Sequence, residues 1–174
     1  MVDSTALTCA GANDGSITIS SPIGGSGSYQ YTINGGTSWS TQTNYTGLAA
    51  STYDVRIRDA NNFSCVTVLS ASLIIDEPAG ITASVSHTNE TCTGDNNGSI
   101  TITGAIGGSN LFEYSFNGGV NWGTSNNING LPDGTYSIRV RDQLATVCWT
   151  DLGSVTILEG TNVQTGPIYR IPNE

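Results

Sequence analysis

The chain has 174 residues and a formal net charge of −9, and its 5 basic residues include no Lys. Clustered Lys and Arg neutralise the phosphates of nucleic acids, so this composition excludes nucleic acid as a natural partner. No apolar run approaches the roughly 18 residues that a membrane-spanning helix needs, so we expect no membrane insertion.

Apolar and polar residues alternate along most of the first half of the chain, and no stretch has helical periodicity. The alternation predicts strands at 16–20, 29–33 and 52–59, with weaker strand patterns at 65–69 and 72–75. Short turn signals of the Asp-Gly and Asn-Gly-Gly type separate these segments. We therefore expect about six or seven strands in each unit of roughly 80 residues, which suits an immunoglobulin-like β-sandwich.

The second half of the chain repeats the first. Residues 8–77 align with residues 91–160 at a constant offset of 83 without a gap, and 31 of the 70 paired positions are identical. Faithful tandem duplication is typical of spacers and multivalent binding arrays and is rare in catalytic domains.

The repeat predicts the domain organisation. Pro and Gly at 78–80 interrupt the strand pattern between the two copies. We predict an all-β protein of two tandem immunoglobulin-like β-sandwich domains, at 1–79 and 80–160. Residues 161–174 have no counterpart and are interpreted as a tail or the start of a further segment.

The four cysteines stand at equivalent places in the two copies, 56 residues apart in each. A disulfide that closes such a loop contributes about 4 kcal/mol on the chain-entropy model. We predict the bonds Cys9–Cys65 and Cys92–Cys148; four buried free thiols are the alternative. Disulfides indicate an oxidising compartment, and because the chain begins Met-Val-Asp without a signal peptide, we expect a fragment of a longer exported protein.

Two tyrosines occupy equivalent positions at the start of the most strongly alternating strands. Tyr53 and Tyr136 each follow a Leu by five residues, as in the tyrosine corner of β-sandwiches, where the hydroxyl bonds to the backbone upstream. We predict this structural role for both, and an ordinary half-buried Tyr is the alternative.

The tryptophans fall into two groups. Trp39 and Trp122 close Asn-Gly-Gly-x-x-Trp hairpins that resemble the Asp-box with Asn in place of Asp. We expect them to lock their own hairpins, with a sugar-stacking platform as the alternative. Trp149 stands opposite Val66 and occurs only in the second copy, so it is the candidate for a ligand contact specific to that copy.

Few residues suit catalysis. His87 is the only His, and Asp59 and Asp142 form the only identical acidic pair, so we predict no catalytic residues and no enzyme. We expect no cofactor; calcium is the alternative that the acidic composition leaves open, with Asp76 and Glu77 as its candidate ligands. Asp and Asn are equally what tight turns use for backbone reasons.

A longer pattern resembles a known family. It runs from the first Cys through Gly-x-Asn-Asp/Asn-Gly-Ser-Ile-Thr-Ile, Ile-Gly-Gly, Tyr-x-x-Asn-Gly-Gly-x-x-Trp and Gly-Leu-x-x-x-Thr-Tyr-x-x-Arg-x-Arg-Asp to the second Cys. This pattern is similar to the SprB-type repeat of the large surface adhesins of gliding Bacteroidota and covers about residues 8–160. The resemblance implies immunoglobulin-like domains, export by the type IX system, and exposure on the outer membrane of a Gram-negative bacterium. It also implies a role in attachment or in transmitting motor force.

Two functions fit these observations. The first is an extracellular tandem-repeat module of a cell-surface adhesin, a disulfide-stapled spacer and adhesive element in attachment and gliding motility. Its expected partners are further repeats of the parent protein and an extracellular surface or glycan. The second is a pair of carbohydrate-binding modules from a secreted polysaccharide-active enzyme. Because the copies share their scaffold residues, we expect any recognition function at positions where the copies differ.

Overall fold

The computed structural model describes residues 1–162, in which twelve strands form four three-stranded antiparallel sheets. The predicted all-β sandwich class is confirmed. No helix that could cross a membrane occurs in this part of the chain.

The first repeat contributes six strands. They are β1 (Val2–Thr5), β2 (Gly15–Ile19), β3 (Tyr29–Thr32), β4 (Asn44–Leu48), β5 (Ser51–Asp59) and β6 (Val66–Ile75). One sheet has the order β1-β2-β4 and the other the order β3-β5-β6. Because alternate residues of a strand face the same side, the apolar residues of both sheets meet in one core, formed by Leu7, Ile17, Ile19, Tyr31, Val55 and Ile75.

The second repeat reproduces this arrangement. Its strands are β7 (Thr82–Thr88), β8 (Gly98–Ile106), β9 (Phe112–Ser115), β10 (Asn127–Leu131), β11 (Gly134–Asp142) and β12 (Trp149–Ile157). The sheets have the orders β10-β8-β7 and β12-β11-β9. The core contains the buried residues Ile100, Ile102, Leu131, Ile138 and Ile157, and full burial of such a side chain contributes about 1.5–3 kcal/mol.

The chain divides into two compact units. Unit 1 comprises Met1–Gly80 together with two short segments of the second repeat, Gly107–Ser109 and Ala145–Cys148. Unit 2 comprises the rest of the described chain from Ile81 onward. The units therefore differ from the contiguous domains 1–79 and 80–160 expected from the sequence. Of the predicted tail at 161–174, all but residues 161 and 162 lie outside the described residues.

The two repeats are not related by one constant offset. Arg58 pairs with Val66 and Arg141 with Trp149, in agreement with the offset of 83, but Tyr53 pairs with Leu73 whereas Tyr136 pairs with Val155. Strand β6 has 10 residues and β12 has 9, and the register of β6 against β5 shifts twice. The gap-free alignment is therefore wrong in the last part of the repeat, because a β-bulge in β6 adds a residue. The core residues Ile75 and Ile157 are equivalent, and so are Glu77 and Glu159.

The disulfide differs from the predicted pairing. Cys9 bonds Cys148, across a sequence separation of 139, and Cys65 and Cys92 are free thiols. Both bonded cysteines belong to unit 1. The predicted bonds Cys9–Cys65 and Cys92–Cys148 are therefore wrong in this structure.

The position of each cysteine along the sandwich explains this outcome. Cys65 immediately precedes β6, whereas the turn that carries Cys9 is held at the other end of β6, where the Leu7 N–H donates to the Asp76 carbonyl at 2.9 Å. Ten strand residues separate these ends by about 30 Å. A disulfide requires Cα atoms within about 7 Å, so Cys9 and Cys65 of one repeat cannot bond; the Cα atoms of Cys9 and Cys148 are 5.4 Å apart.

Candidate functional site

Both tyrosines of the predicted corners bond upstream backbone. The Tyr53 hydroxyl donates to the Ala49 carbonyl at 2.9 Å, and the Tyr136 hydroxyl donates to the Pro132 carbonyl at 2.9 Å. Each bond spans four residues and ties the turn before β5 or β11 to the strand that follows. Burial raises the pKa of Tyr136, and the carboxylates of Asp133 and Glu90 add to this shift.

The two tryptophan hairpins have the same internal bonds. The indole N–H of Trp39 donates to the Gly36 carbonyl at 3.1 Å, and that of Trp122 to the Gly119 carbonyl at 2.9 Å. Both glycines have positive φ, 101° and 93°, a conformation that side chains with a Cβ rarely adopt. Within each hairpin the Trp nitrogen is therefore bonded to the turn and not available to a ligand.

Arginines cover several of the aromatic rings. The Arg58 guanidinium lies between Trp39 and Phe63, 4.4 and 4.3 Å from their ring centroids, and Arg141 lies 4.4 Å from Trp122. Gln30 accepts from Arg58, and Glu113, at the equivalent position, accepts from Arg141 at 2.7 Å. These stacks hold the hairpins against the sheets. The two tryptophans and both arginines are half-buried, where a cation–π contact contributes about 0.5–2 kcal/mol.

Trp149, the predicted ligand contact, is the first residue of β12 and is 49% exposed. Arg139 lies 4.4 Å from its ring centroid, and the same Arg pairs weakly with Asp151 at 3.4 Å. One indole face is therefore occupied by a guanidinium. Val66 is at the equivalent place in unit 1 and is 44% exposed.

Unit 2 contains an aromatic groove that the sequence analysis missed. Its volume is about 430 Å³, and it lies beside the edge strands β9 and β10. Apolar walls come from Tyr114, Phe116, Trp122, Ile128 and Tyr136, all half-buried. Its polar groups are amides and hydroxyls, and among the described residues no charged residue lines it.

Two substitutions between the copies account for the open groove wall. In unit 1 the Tyr45 ring packs against the core and its hydroxyl lies 3.2 Å from the Ser40 hydroxyl. The equivalent residues of unit 2 are Ile128 and Gly123, which are smaller and carry no hydroxyl. Tyr31 is accordingly 5% exposed, and burial raises its pKa, whereas its equivalent Tyr114 is only half-buried. Comparison of positions 40 and 45 with 123 and 128 was the sequence signal for this groove.

The groove also leaves hydrogen-bonding groups without partners. In unit 1 the Asn34 amide nitrogen donates to the Ser38 hydroxyl at 2.9 Å. Asn121 replaces that Ser in unit 2, where the side-chain oxygen Oδ1 of Asn117 still accepts the Asn121 backbone N–H at 2.9 Å. Within residues 1–162, the side-chain nitrogen Nδ2 of Asn117 and the side-chain amide of Asn121 have no hydrogen-bond partner. Both side chains line the groove.

The acidic candidates have structural contacts. Glu77 accepts the Gly11 N–H at 2.7 Å through its carboxylate, and Asp76 accepts the Leu7 N–H through its carbonyl. Both residues are exposed. Among the described residues no group of three or more His, Cys, Asp or Glu side chains is placed to hold a metal ion.

Asp59 has a purely structural environment as well. Its carboxylate accepts the Ser26 N–H at 2.6 Å, the Asn61 N–H at 2.7 Å and the Ser26 hydroxyl at 2.8 Å. These bonds, led by the backbone bond from Ser26, lower the pKa of Asp59. The side chain thus fixes the loops on either side of it.

Over residues 1–162 the chain is a tandem β-sandwich repeat with duplicated structural elements, and unit 2 has a groove that differs from unit 1. Two segments, residues 2–38 and 84–121, match the family model described as SprB repeat. Each copy of the repeat is therefore similar to the SprB repeat over part of its length, as the sequence pattern indicated. No curated protein matches the chain.

This match indicates the class of protein. SprB repeats occur in surface adhesins, which suggests a repeat module of a cell-surface adhesin and implies an extracellular location. The family is a structural repeat family and not an enzyme family.

Proposed function

We propose that this module acts as a spacer and as an adhesive element of its adhesin, and that unit 2 binds a neutral carbohydrate in the aromatic groove. The groove carries the proposal. Its volume of about 430 Å³ lies in the range of small-ligand sites, roughly 300–1,000 Å³.

The chemistry of the lining supports a neutral sugar. Aromatic rings pack against the C–H faces of pyranose rings, and amides such as those of Asn117 and Asn121 both donate to and accept from hydroxyl groups. A charged ligand would lack a counter-charge, because the lining contains no charged residue in the described chain.

The spacer role rests on what the repeats share. Tyrosine corners, tryptophan hairpins and arginine stacks recur in both copies and stabilise turns and strands. Export by the type IX system, exposure on the outer membrane and a part in gliding motility are the corresponding proposals for the parent protein.

The groove can be tested by rebuilding the wall of unit 1 in unit 2. Gly123 has no atom within 4 Å of an added Cβ, so Gly123→Ser combined with Ile128→Tyr introduces the two residues of unit 1 without a clash at position 123. Binding to a panel of neutral oligosaccharides of glucose, mannose, galactose and xylose is measured by NMR titration. We expect the wild-type chain to bind at least one of them and the double variant to bind it at least about tenfold more weakly.

The controls separate the groove from other surfaces. Val66→Ala changes an exposed residue of unit 1 and should leave the affinity unchanged. Loss of binding in Trp149→Ala but not in the double variant would place the ligand on the exposed indole and contradict the groove. Absence of binding to every neutral sugar, or binding of acidic sugars alone, would also contradict it.

A further inference from the structure

The two free thiols are not a random pair. Cys92 is the counterpart of Cys9, the first cysteine of its repeat, and Cys65 is the counterpart of Cys148, the second. The bonded pair thus joins the first cysteine of one repeat to the second cysteine of the repeat that follows. By the same rule, the partner of Cys92 would be the second cysteine of a following repeat, and the partner of Cys65 would be the first cysteine of a preceding repeat.

The turns that carry the free thiols match those that carry the bonded cysteines. The Ala12 N–H donates to the Cys9 carbonyl at 3.1 Å, and the Asp95 N–H donates to the Cys92 carbonyl at 3.2 Å. The Thr8 N–H donates to the Asp14 side chain, and the Thr91 N–H donates to the Asn97 side chain, both at 3.0 Å. The turn around Cys92 therefore has the backbone bonds of the turn that forms a disulfide.

The second type of turn is also conserved between the copies. The Cys148 N–H donates to the Ala145 carbonyl at 2.8 Å, and the Cys65 N–H donates to the equivalent Asn62 carbonyl at 3.0 Å. Cys65 is exposed and Cys92 is partly exposed, so neither residue is buried in the described part of the chain.

We propose that these repeats form a continuous series of disulfides along the parent protein, in which the first cysteine of each repeat bonds the second cysteine of the next. Cys92 bonds the second cysteine of a following repeat, and Cys65 bonds the first cysteine of a preceding repeat. The partner is another repeat of the same kind. Each repeat is thereby linked to both of its neighbours, and no repeat contains an internal bond.

The chemistry of each bond is an ordinary thiol oxidation. Two thiols lose two protons and two electrons as the S–S bond forms, and an oxidised dithiol or glutathione disulfide accepts the electrons and becomes two thiols. One thiolate attacks the oxidant and forms a mixed disulfide, releasing one oxidant thiolate. The second thiolate then attacks the protein sulfur of the mixed disulfide and displaces the other oxidant thiolate.

Two copies of the chain provide the test, because Cys92 of one copy and Cys65 of another obey the same rule. The purified chain is incubated at high concentration with oxidised glutathione, and its products are separated without reductant and mapped by mass spectrometry. We expect a ladder of oligomers joined by Cys92–Cys65 bonds, with Cys9–Cys148 intact. Cys65→Ser and Cys92→Ser each remain monomeric alone, and their mixture stops at the dimer.

Three results would overturn the proposal. Random oxidation would give symmetric Cys65–Cys65 and Cys92–Cys92 linkages as often as mixed ones, and either single variant would then dimerise alone. A wild-type chain that stays monomeric would show that the two turns do not recognise each other. A map that shows Cys9 bonded to Cys65 would remove the rule itself.

Discussion

At the scale of single residues, Glu90 places a carboxylate in unit 2 where unit 1 has a buried apolar side chain. Glu90 takes the place of Leu7: the Leu7 N–H donates to the Asp76 carbonyl, and the Glu90 N–H donates to the Leu158 carbonyl at 3.2 Å. Both side chains are 5% exposed. One carboxylate oxygen of Glu90 accepts the Asn96 N–H at 2.9 Å, and the other has no hydrogen bond to any described residue.

Replacement of this buried carboxylate should stabilise unit 2. An unsatisfied buried polar group costs about 1–3 kcal/mol, so we expect Glu90→Leu to raise the free energy of unfolding by about that amount. Urea denaturation followed by tryptophan fluorescence measures the change. Glu159→Leu, at an exposed carboxylate, is the matched control and should stay within about 0.5 kcal/mol of the wild type. A destabilised Glu90→Leu variant would show instead that the carboxylate has a favourable partner.

At the scale of elements, the tyrosine corners connect turns to strands in both units. Each hydroxyl makes one bond of 2.9 Å to a carbonyl four residues upstream. The corner therefore fixes the entry into β5 or β11, which are the central strands of their sheets. A central strand of a three-stranded sheet is hydrogen-bonded to both of the other strands.

Removal of either hydroxyl should cost one hydrogen bond. We expect Tyr53→Phe and Tyr136→Phe each to lower the free energy of unfolding by about 0.5–1.5 kcal/mol, because the acceptor carbonyl loses its donor while the ring stays packed. Chemical denaturation of each variant measures this. Tyr114→Phe removes a hydroxyl that bonds no other described residue and should have a smaller effect. Equal effects at all three positions would contradict the assignment of the stabilisation to the corner bonds.

The sequence was sufficient for elements whose signal is local. Alternation at Ile17 and Ile19 and at Tyr53 to Ile57 predicted β2 and β5, because a strand's side-chain period is fixed by the backbone. The disulfide was not predictable in this way, because it depends on which end of the sandwich each cysteine occupies. After the tryptophan hairpin, the backbone N–H and carbonyl of Ser40 form two reciprocal hydrogen bonds with the backbone of Tyr31. This chain reversal is not visible in the strand pattern of the sequence.

The groove was missed for a related reason. Three of its four aromatic residues, Tyr114, Trp122 and Tyr136, are shared by both copies and predicted scaffold. The cavity arises where Gly123 and Ile128 replace the larger residues Ser40 and Tyr45. A missing side chain has no motif of its own. Its effect becomes visible only when the equivalent pair in unit 1, Ser40 and Tyr45, is seen to fill the same space.

At the scale of the whole molecule, one disulfide determines how the chain responds to force. The bond Cys9–Cys148 closes a loop with a sequence separation of 139 that contains most of both repeats. On the chain-entropy model a loop of this size contributes about 5 kcal/mol to stability. Force applied at the chain termini passes through the Cys9–Cys148 bond and bypasses the residues between these cysteines, so the loop does not extend even after its strands separate.

Single-molecule stretching with and without reductant tests this expectation. In the oxidised chain only residues outside the loop can extend, and reduction should release the separation of 139 residues at about 3.3–3.6 Å each, roughly 460–500 Å of contour length. Cys148→Ser should show the full extension without reductant and no further gain when reductant is added. Two separate gains of roughly 190 Å, one for each 56-residue loop, would instead show that the cysteines bond within their repeats. The released length per disulfide therefore differs by more than a factor of two between the Cys9–Cys148 bond and bonds within each repeat. Before reduction, the chain with the Cys9–Cys148 bond is the less extensible, because its one loop contains more residues than the two 56-residue loops together.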